Sequence, residues 1–439
     1  LGDVDFGNYT IANALPSLLT GLIDLGYTTL LIREVSRDKS KSDKFLSNAL
    51  RFRLLLFPAV FLILVLSVNI MGYPDSTKNI VYLFGIFTFL KTLTNIFYGT
   101  FRAFEKMEYE AVIVTSTTIV RSALGLFILS LGYGLIELGL IFVFTGVAEF
   151  IIALVISRKR FIKKFQVHPS FIRDTIKIAF PLGMVSIFGV IYIRIDTVML
   201  SYLKGDAVVG WYNAAYNLVL GFAFIPQLFM QSLLPSMSFN FISSKEALQK
   251  SYEKSFKYLL ILGLPISVGI FFLADKFILF FYGSQFANSG IALKILGWDV
   301  SLYFLYTCAG FVLISTDKQN IMATILAISA VLNFVLNLIL IPQYSYIGAG
   351  FATLTTEIIL LVIYLFINKR NSYIININNI VFPPGIACCV MGICLYFSSE
   401  IHLIFQILIG FILYFIVLIS LRGFTKDDIV LFKQLIKKQ

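Results

Sequence analysis

The chain has 439 residues, of which 58% are hydrophobic and only 13% are charged. A composition this apolar cannot build a water-soluble surface, so it excludes a soluble globular protein and indicates a protein embedded in lipid. The net charge of +11 at neutral pH does not call for nucleic acid as a partner, because basic loops beside anionic lipid headgroups account for it.

Apolar runs of about 20 residues, the length needed to cross the hydrocarbon core of a bilayer, recur along the whole chain. Thirteen spans are predicted, in chain order: A (6–32), B (54–72), C (79–101), D (111–132), E (135–157), F (178–203), G (209–236), H (258–274), I (290–314), J (321–342), K (346–367), L (385–398) and M (403–421). The sequence therefore predicts an all-α polytopic membrane protein, located in the cell membrane.

The 35 Lys and Arg residues are distributed unevenly over the connections between these spans. Alternate connections hold 28 of them, whereas the other connections hold only Lys78, Lys204 and Lys276. By the positive-inside rule the first set is cytoplasmic, which places residue 1 outside. One further span is then expected to precede span A if the native N-terminus is cytoplasmic.

The segment LGDVDFGNYTIANAL (1–15) is repeated 203 positions later as KGDAVVGWYNAAYNL (204–218). Internal symmetry of apolar spans is typical of carriers that expose a site alternately to the two sides of a membrane. Six spans, an even number, separate A from G, so both copies point the same way across the membrane. The repeat axis is therefore expected to run along the membrane normal, relating two lobes of six helices each.

These observations predict a domain organisation in five parts. Residues 1–157 form an N-terminal transporter lobe that lacks its first helix, and 178–368 form a C-terminal transporter lobe. Between them, 158–177 is either an amphipathic helix on the cytoplasmic surface or a bare topogenic signal. Residues 369–421 supply two additional transmembrane helices, and 422–439 form a cytoplasmic basic tail.

Polar side chains follow one face of span A and one face of span C. In span A they recur every three or four residues, on one side of a helix: Tyr9, Asn13, Ser17, Thr20 and Asp24. Span C repeats the pattern with Thr88, Lys91, Asn95, Tyr98 and Arg102. An ionised group at the bilayer centre costs about 2.5–3.5 kcal/mol on insertion scales, so these faces are expected to meet a cavity or a partner.

Lys91 lies near the middle of span C. A water-filled cavity is the favoured interpretation, while a buried ion pair that locks helices and a lysine that extends to the membrane surface stay open. For Asp24, nearer the cytoplasmic end, a cavity and a structural pair are both open.

Other charged residues lie inside the spans. Arg194 and Asp196 are about 200° apart on span F and cannot pair with each other, so each is expected to face another helix or water. Arg121, Glu149 and Glu357 lie in the later helices of the two halves and are interpreted as structural partners that hold each half together. The four cysteines and two histidines form no disulfide or metal-binding pattern, so no metal site and no cofactor are predicted.

Four segments, read together, resemble a known family. They are DFGNYTIANAL (5–15), DLGYTTLLIREVSRD (24–38), RIDTVMLSYLKGDAVVGWYNAAYNL (194–218) and LNFVLNLILIPQYSYIGAGFATLTTE (332–357). In these the chain resembles the polysaccharide-biosynthesis flippases of the O-antigen Wzx type, which belong to the multidrug/oligosaccharidyl-lipid/polysaccharide (MOP) exporter superfamily. The resemblance covers nearly the whole chain in order.

The resemblance implies a V-shaped carrier with a central cavity lined by the first, second and fourth helices of each lobe. It also implies a function, the movement of an isoprenoid-diphosphate-linked oligosaccharide from the inner to the outer leaflet for cell-surface glycan synthesis. Cationic Lys91 and Arg194 would then hold the diphosphate, and the sugars would contact Asn13, Thr20, Asn95 and Tyr98. The expected partners are this substrate, membrane lipids and glycan polymerase or transferase machinery, with no nucleic acid.

Two other functions were considered: a cation exporter stays open, whereas a membrane-embedded transferase is not expected. A cation-coupled exporter of organic cations, from the same superfamily, would use Asp24, Asp196 or Asp299 to exchange protons or sodium for drug. A membrane-embedded glycosyl- or prenyltransferase would need a carboxylate cluster for magnesium. The one adjacent acidic pair, Asp427–Asp428, lies in the tail, so the protein is not expected to be an enzyme.

Overall fold

The computed structural model describes residues 2–162, 164 and 168–424, and within these ranges the secondary structure is helical, without a strand. The α-helices are α1 (Asp3–Asp24), α2 (Tyr27–Arg37), α3 (Ser42–Ile70), α4 (Asp75–Ala103), α5 (Met107–Ser130), α6 (Leu135–Arg160), α7 (Pro169–Lys204), α8 (Asp206–Leu220), α9 (Phe224–Ser243), α10 (Lys245–Tyr282), α11 (Ser289–Ser315), α12 (Gln319–Arg370), α13 (Ile377–Phe397) and α14 (Leu403–Ser420). The predicted tail beyond 424 lies outside the described residues.

Among the described residues, the structure has eleven or twelve helices of the kind that the sequence predicts as spans. Eleven are long and apolar enough to cross a membrane, with α8 and α9 taken as one, and the bent pair of α1 and α2 makes a twelfth. Helix α12 has 52 residues, which at 1.5 Å per residue is about 78 Å, more than twice the thickness of a hydrocarbon core. It breaks at Ser345 (φ 55°, ψ −138°), so it provides two spans.

The first helix breaks at a place that the sequence did not indicate. Span A was predicted as one span over residues 6–32. A proline inside a helix is the usual cause of a bend, but Pro16 is buried inside an unbroken α1. Instead the chain bends by 45° between α1 and α2, where Leu25 (φ 44°) and Gly26 (φ 78°) adopt left-handed conformations. A proline is tolerated in a membrane helix when neighbouring groups bond the carbonyl that it leaves unpaired.

The tertiary contacts divide the chain into two compact units, residues 1–210 and 211–439. In the first unit α4 packs against α6 and α1, and α1 packs against α7. In the second unit α11 packs between α10 and α12, and the hairpin of α13 and α14 packs against α10. Because α7 contacts α1, it groups with the first unit, so the predicted lobe boundary near 158–177 stays a prediction.

The predicted surface linker is largely the ends of two helices. Helix α6 continues to Arg160, and α7 begins at Pro169, while residues 163 and 165–167 lie outside the described part. The start of α3 contacts this stretch: the Asp43 carboxylate accepts the Lys164 amide N–H at 3.0 Å, and the Asn48 side chain accepts that of His168 at 2.9 Å.

Candidate functional site

A buried carboxylate on α6 is the centre of a polar network in the first unit. Glu149 is 0% exposed, and its Oε1 accepts hydrogen bonds from Lys91 Nζ at 2.6 Å and from the Tyr98 hydroxyl at 2.7 Å. Its Oε2 accepts from an Arg121 amino group at 3.2 Å and the Thr117 hydroxyl at 3.4 Å. One anion is thus shared by two cations, which leaves one positive charge in excess.

Helical spacing explains why these groups converge. Lys91 and Tyr98 are seven residues apart on α4, and Thr117 and Arg121 are four apart on α5, so each pair projects from one face of its helix. Both helices pack against α6. A buried charge of this kind is tolerated only when it is paired and hydrogen-bonded.

The Arg121 guanidinium has further partners that hold it in place. It donates to the Thr145 hydroxyl at 3.0 Å. It also lies over the rings of Phe87 and Phe142, with 4.8 and 5.2 Å to the centroids, at distances typical of cation–π contacts. Arg121 is thus paired with Glu149, whereas Glu357 is buried in the second unit, on α12. The structural roles that the sequence suggested for these three residues stay predictions.

The structure places Lys91 in an ion pair, and a role in a water-filled cavity stays a prediction. Its ammonium pairs with Glu149, yet its side chain keeps 34% exposure. It is therefore the accessible member of the network, since the Arg121 side chain is 13% exposed. Asn95, one turn away on α4, is exposed.

Two residues of α1 extend the cationic region towards α7. Tyr9 lies near the Asn13 side chain, and its hydroxyl is within electrostatic range of both the Arg121 and the Arg194 guanidinium groups. Arg194 is half-buried and has no ion pair with any residue that the structure describes. Thr20, further along α1, donates to a backbone carbonyl of its own helix, that of Ser17, at 2.6 Å.

A second network, which the sequence did not reveal, surrounds Arg53. This residue was counted among the cytoplasmic connections, but α3 begins at Ser42, so Arg53 lies about three turns inside a helix and is 1% exposed. Its guanidinium donates to the Asp24 carboxylate, to the Thr28 hydroxyl at 2.5 Å and to the Thr92 carbonyl. The structural pair left open for Asp24 is therefore present, while its side chain keeps 25% exposure.

The remaining candidate carboxylates are buried in separate units. Asp196 on α7 and Asp299 on α11 are each 4% exposed. Asp299 lies beside Tyr303 and Phe304, next to the short break between α8 and α9. No group of three or more His, Cys, Asp or Glu side chains able to hold a metal ion occurs among the described residues.

The second unit contains an apolar cavity of about 260 Å³ between α10 and the hairpin of α13 and α14. Its lining includes Ile261, Leu273, Phe277, Met391, Leu395 and Phe411. The few polar groups at its wall include Gln406 and the Tyr414 hydroxyl, which donates to the Ile261 carbonyl at 2.8 Å. Such a lining suits hydrocarbon rather than a charged ligand.

The family model described as polysaccharide biosynthesis protein matches residues 1–241, more than half of the chain. The chain belongs to this family. A second model, described as MatE, matches residues 181–339. The resemblance to the MOP superfamily that the sequence indicated is thereby confirmed.

Relatives of this family member come from bacteria and archaea. The capsular polysaccharide biosynthesis protein CapF of Staphylococcus aureus is 22% identical over 379 residues, which cover 83% of this chain and 91% of CapF. The probable low-salt glycan biosynthesis flippase Agl15 of Haloferax volcanii is 25% identical over 169 residues. That match covers 38% of this chain and 36% of Agl15.

Solved structures confirm the predicted transporter fold. The lipid II flippase MurJ, in an inward closed conformation, superposes with a TM-score of 0.74 at 18% identity, covering 96% of both chains. An inward-facing multidrug resistance MATE transporter superposes with a TM-score of 0.68 at 13% identity, covering 84% of this chain and 92% of that one. At these identities the likeness concerns the fold alone.

Proposed function

We propose that the protein is a flippase that moves an isoprenoid-diphosphate-linked oligosaccharide from the inner to the outer leaflet by alternating access. Membership of the polysaccharide biosynthesis family supports this function, as do relatives named for capsule synthesis and glycan flipping. The observation that carries the proposal is the excess of positive charge inside the first unit. There, Lys91 and Arg121 share the Glu149 carboxylate. Arg121 and Arg194 both lie within electrostatic range of the Tyr9 hydroxyl.

The excess charge favours an anionic substrate over an organic cation. Two unit charges 4 Å apart interact by about 4 kcal/mol at an effective dielectric constant near 20, before desolvation is subtracted. A diphosphate headgroup would gain such energy from Lys91 and Arg194. A drug cation would be repelled by the same groups.

Lys91 is suited to exchange partners during transport. A phosphate that reaches its exposed ammonium competes with Glu149, and Arg121 continues to neutralise the carboxylate while Lys91 binds the ligand. The hydroxyl and amide groups of Asn13, Thr20 and Asn95 would then accept and donate hydrogen bonds to the sugars. Tyr98, whose hydroxyl is bound to Glu149, would position the network rather than contact a sugar.

The apolar cavity of the second unit supports a lipid-linked substrate. An isoprenoid chain needs a hydrocarbon surface, and the cavity beside α10, α13 and α14 offers one.

The alternative, a cation-coupled exporter of organic cations, would use Asp24, Asp196 or Asp299. It is weakened at Asp24, whose charge is already compensated by Arg53. Association with glycan polymerase or transferase machinery is part of the proposal.

Substitution of Lys91 tests the function directly. Lys91→Ala should abolish glycan delivery to the outer leaflet in a complementation assay while leaving membrane insertion intact, since Arg121 still neutralises Glu149. Lys91→Arg should keep part of the activity, because charge matters more here than shape. Lys294→Ala is the matched control, since Lys294 pairs with Asp275 in an exposed position. A folded and fully active Lys91→Ala protein would contradict the proposed role.

A further inference from the structure

Helix α1 contacts the corner of α7 and α8 through backbone atoms at its N-terminal end. A Cβ atom at Gly7 would lie 2.7 Å from the carbonyl carbon of Asp206, and a Cβ at Gly210 would lie 3.1 Å from that of Asp3. Both distances are shorter than van der Waals contact, so only glycine permits this approach. Gly7 and Gly210, like Asp3 and Asp206, are separated by the 203 residues of the sequence repeat.

The contact is therefore reciprocal. Each copy of the repeated segment places its glycine on the aspartate backbone of the other copy, as happens where a twofold axis passes through an interface. A side-chain network lies at the same end: the Tyr73 hydroxyl donates to Ser201 Oγ at 2.7 Å, and Ser201 Oγ donates to the Asp206 carboxylate at 3.2 Å. Burial raises the pKa of Tyr73 to about 12, so this hydroxyl stays a donor at neutral pH.

A second backbone contact lies at the other end of α1. A Cβ at Gly183 of α7 would lie 2.7 Å from the Gly26 nitrogen and from the Leu25 oxygen. This contact coincides with the break between α1 and α2. Between the two ends, Asn13, Ser17 and Thr20 are only half-buried.

We propose that these two glycine contacts are the outer and inner gates of the carrier. Each gate opens when α1 separates from α7 and α8 at that end while the contact at the other end persists. Glycine is suited to a gate because it brings backbones close through weak Cα–H···O contacts, which are inexpensive to break. Alternating access requires such a pair of contacts at the two ends of one interface.

The gates can be tested without any substrate, so the result is independent of the proposed flippase function. Cys308, Cys388, Cys389 and Cys394 are replaced by alanine, and Ser17→Cys, on α1 between the two contacts, serves as the reporter. Gly7→Ala should raise the rate of labelling by an impermeant maleimide applied outside intact cells and lower it in inverted vesicles. Gly183→Ala should do the opposite. The expected changes are roughly three- to tenfold, because an added methyl overpacks one closed gate and shifts the population.

Two further variants make the test strict. Gly210→Ala should act in the same direction as Gly7→Ala, because the contact is reciprocal, and it carries the outer test if Gly7→Ala does not insert. Gly385→Ala, on α13, is the control, since a Cβ there meets no atom within 4 Å, and its labelling should match the parent. If Gly7→Ala and Gly183→Ala change the labelling of the Ser17→Cys reporter in the same direction, or leave it unchanged, the gate assignment is overturned.

Discussion

Charged side chains within the helices of the first unit form two networks, and each depends on one central residue. Glu149 accepts hydrogen bonds from two cations, whereas Arg53 donates hydrogen bonds to one carboxylate, one hydroxyl and one carbonyl. Removal of a peripheral member leaves the centre with a partner. Removal of the centre leaves several buried groups without one, and such groups carry the full desolvation penalty.

Glu149→Ala should therefore destabilise the protein more than Lys91→Ala does. The first change deprives both Lys91 and Arg121 of their shared counter-charge, while the second leaves the Arg121–Glu149 pair in place. A loss of about 3–5 kcal/mol is expected when one partner of a buried pair is removed. Thermal unfolding in detergent measures the order, with Glu400→Ala as the control, since Glu400 is exposed and has no ion pair with the described residues. Equal stability of the two variants would show that Glu149 is not the centre of the network.

Arg53→Ala should also destabilise the protein, by at least about 2 kcal/mol, because it leaves Asp24 and the Thr92 carbonyl without their buried donor. Arg51→Ala is the matched control, since Arg51 lies on the same helix and has no ion pair with the described residues. Asp24→Asn in the Arg53→Ala background should recover part of the loss, because it removes the unpaired charge. If Arg53→Ala unfolds at the same temperature as Arg51→Ala, the network does not stabilise α1.

At this scale the sequence predicted some partners and missed others for a physical reason. Arg121 and Glu149 were grouped because both lie at mid-depth inside spans of the same half, and the structure pairs them. Arg53 was missed because a charge near the end of an apolar run looks like part of a loop. Its role depends on how far α3 extends, which hydropathy does not define.

Among the elements, the loop that joins α13 and α14 is bound by one lysine of α10. Lys276 Nζ donates to the carbonyls of Ser399 and Ile401 at 2.5 and 2.7 Å and to Gln406 Oε1 at 2.6 Å. Gln406 is 1% exposed and donates in turn to the Ser398 carbonyl at 2.7 Å. The lysine thus supplies hydrogen bonds to the backbone carbonyls of the loop that joins the two helices.

Lys276→Ala should loosen this hairpin, because three acceptors, one of them the side-chain oxygen of the buried Gln406, lose a charged donor. The expected cost is about 1–3 kcal/mol. It should appear as faster limited proteolysis between α13 and α14 and as a lower unfolding temperature. Lys294→Ala should cost at most about 1 kcal/mol, since its pair with Asp275 is exposed. Proteolysis of Lys276→Ala at the parental rate would contradict this attachment.

The positions of the spans were predictable, but the breaks within them were not. Span lengths follow from hydropathy, whereas the break after Asp24 depends on left-handed conformations at Leu25 and Gly26. Proline, the usual sequence signal for a break, lies instead inside α1, which continues past it. The break at Ser345, by contrast, falls between spans J and K, which the sequence had already counted as two.

For the whole molecule, the repeat at an offset of 203 was the most informative feature of the sequence. It predicted a duplicated carrier, and in the structure the repeated residues Gly7 and Gly210 contact each other's segments. Which side chains meet across helices could not be read from one sequence, because it depends on helix rotation and on the exact ends of each helix. The superposition of the two halves stays a prediction.

The charge asymmetry makes the last prediction, which concerns topology. Cysteines introduced at Lys41 and Lys250 should be labelled by an impermeant thiol reagent only from the cytoplasmic side, and those at Asp75 and Lys204 only from outside. All four positions are exposed, so a failure to react would reflect the membrane rather than burial. The basis is 28 cations in one set of connections against three in the other, a bias that orients membrane proteins during insertion. Lys163, also predicted to be cytoplasmic, lies outside the described residues. Labelling of Lys41 and Lys204 from the same side would overturn the orientation, and with it the assignment of the outer and inner gates.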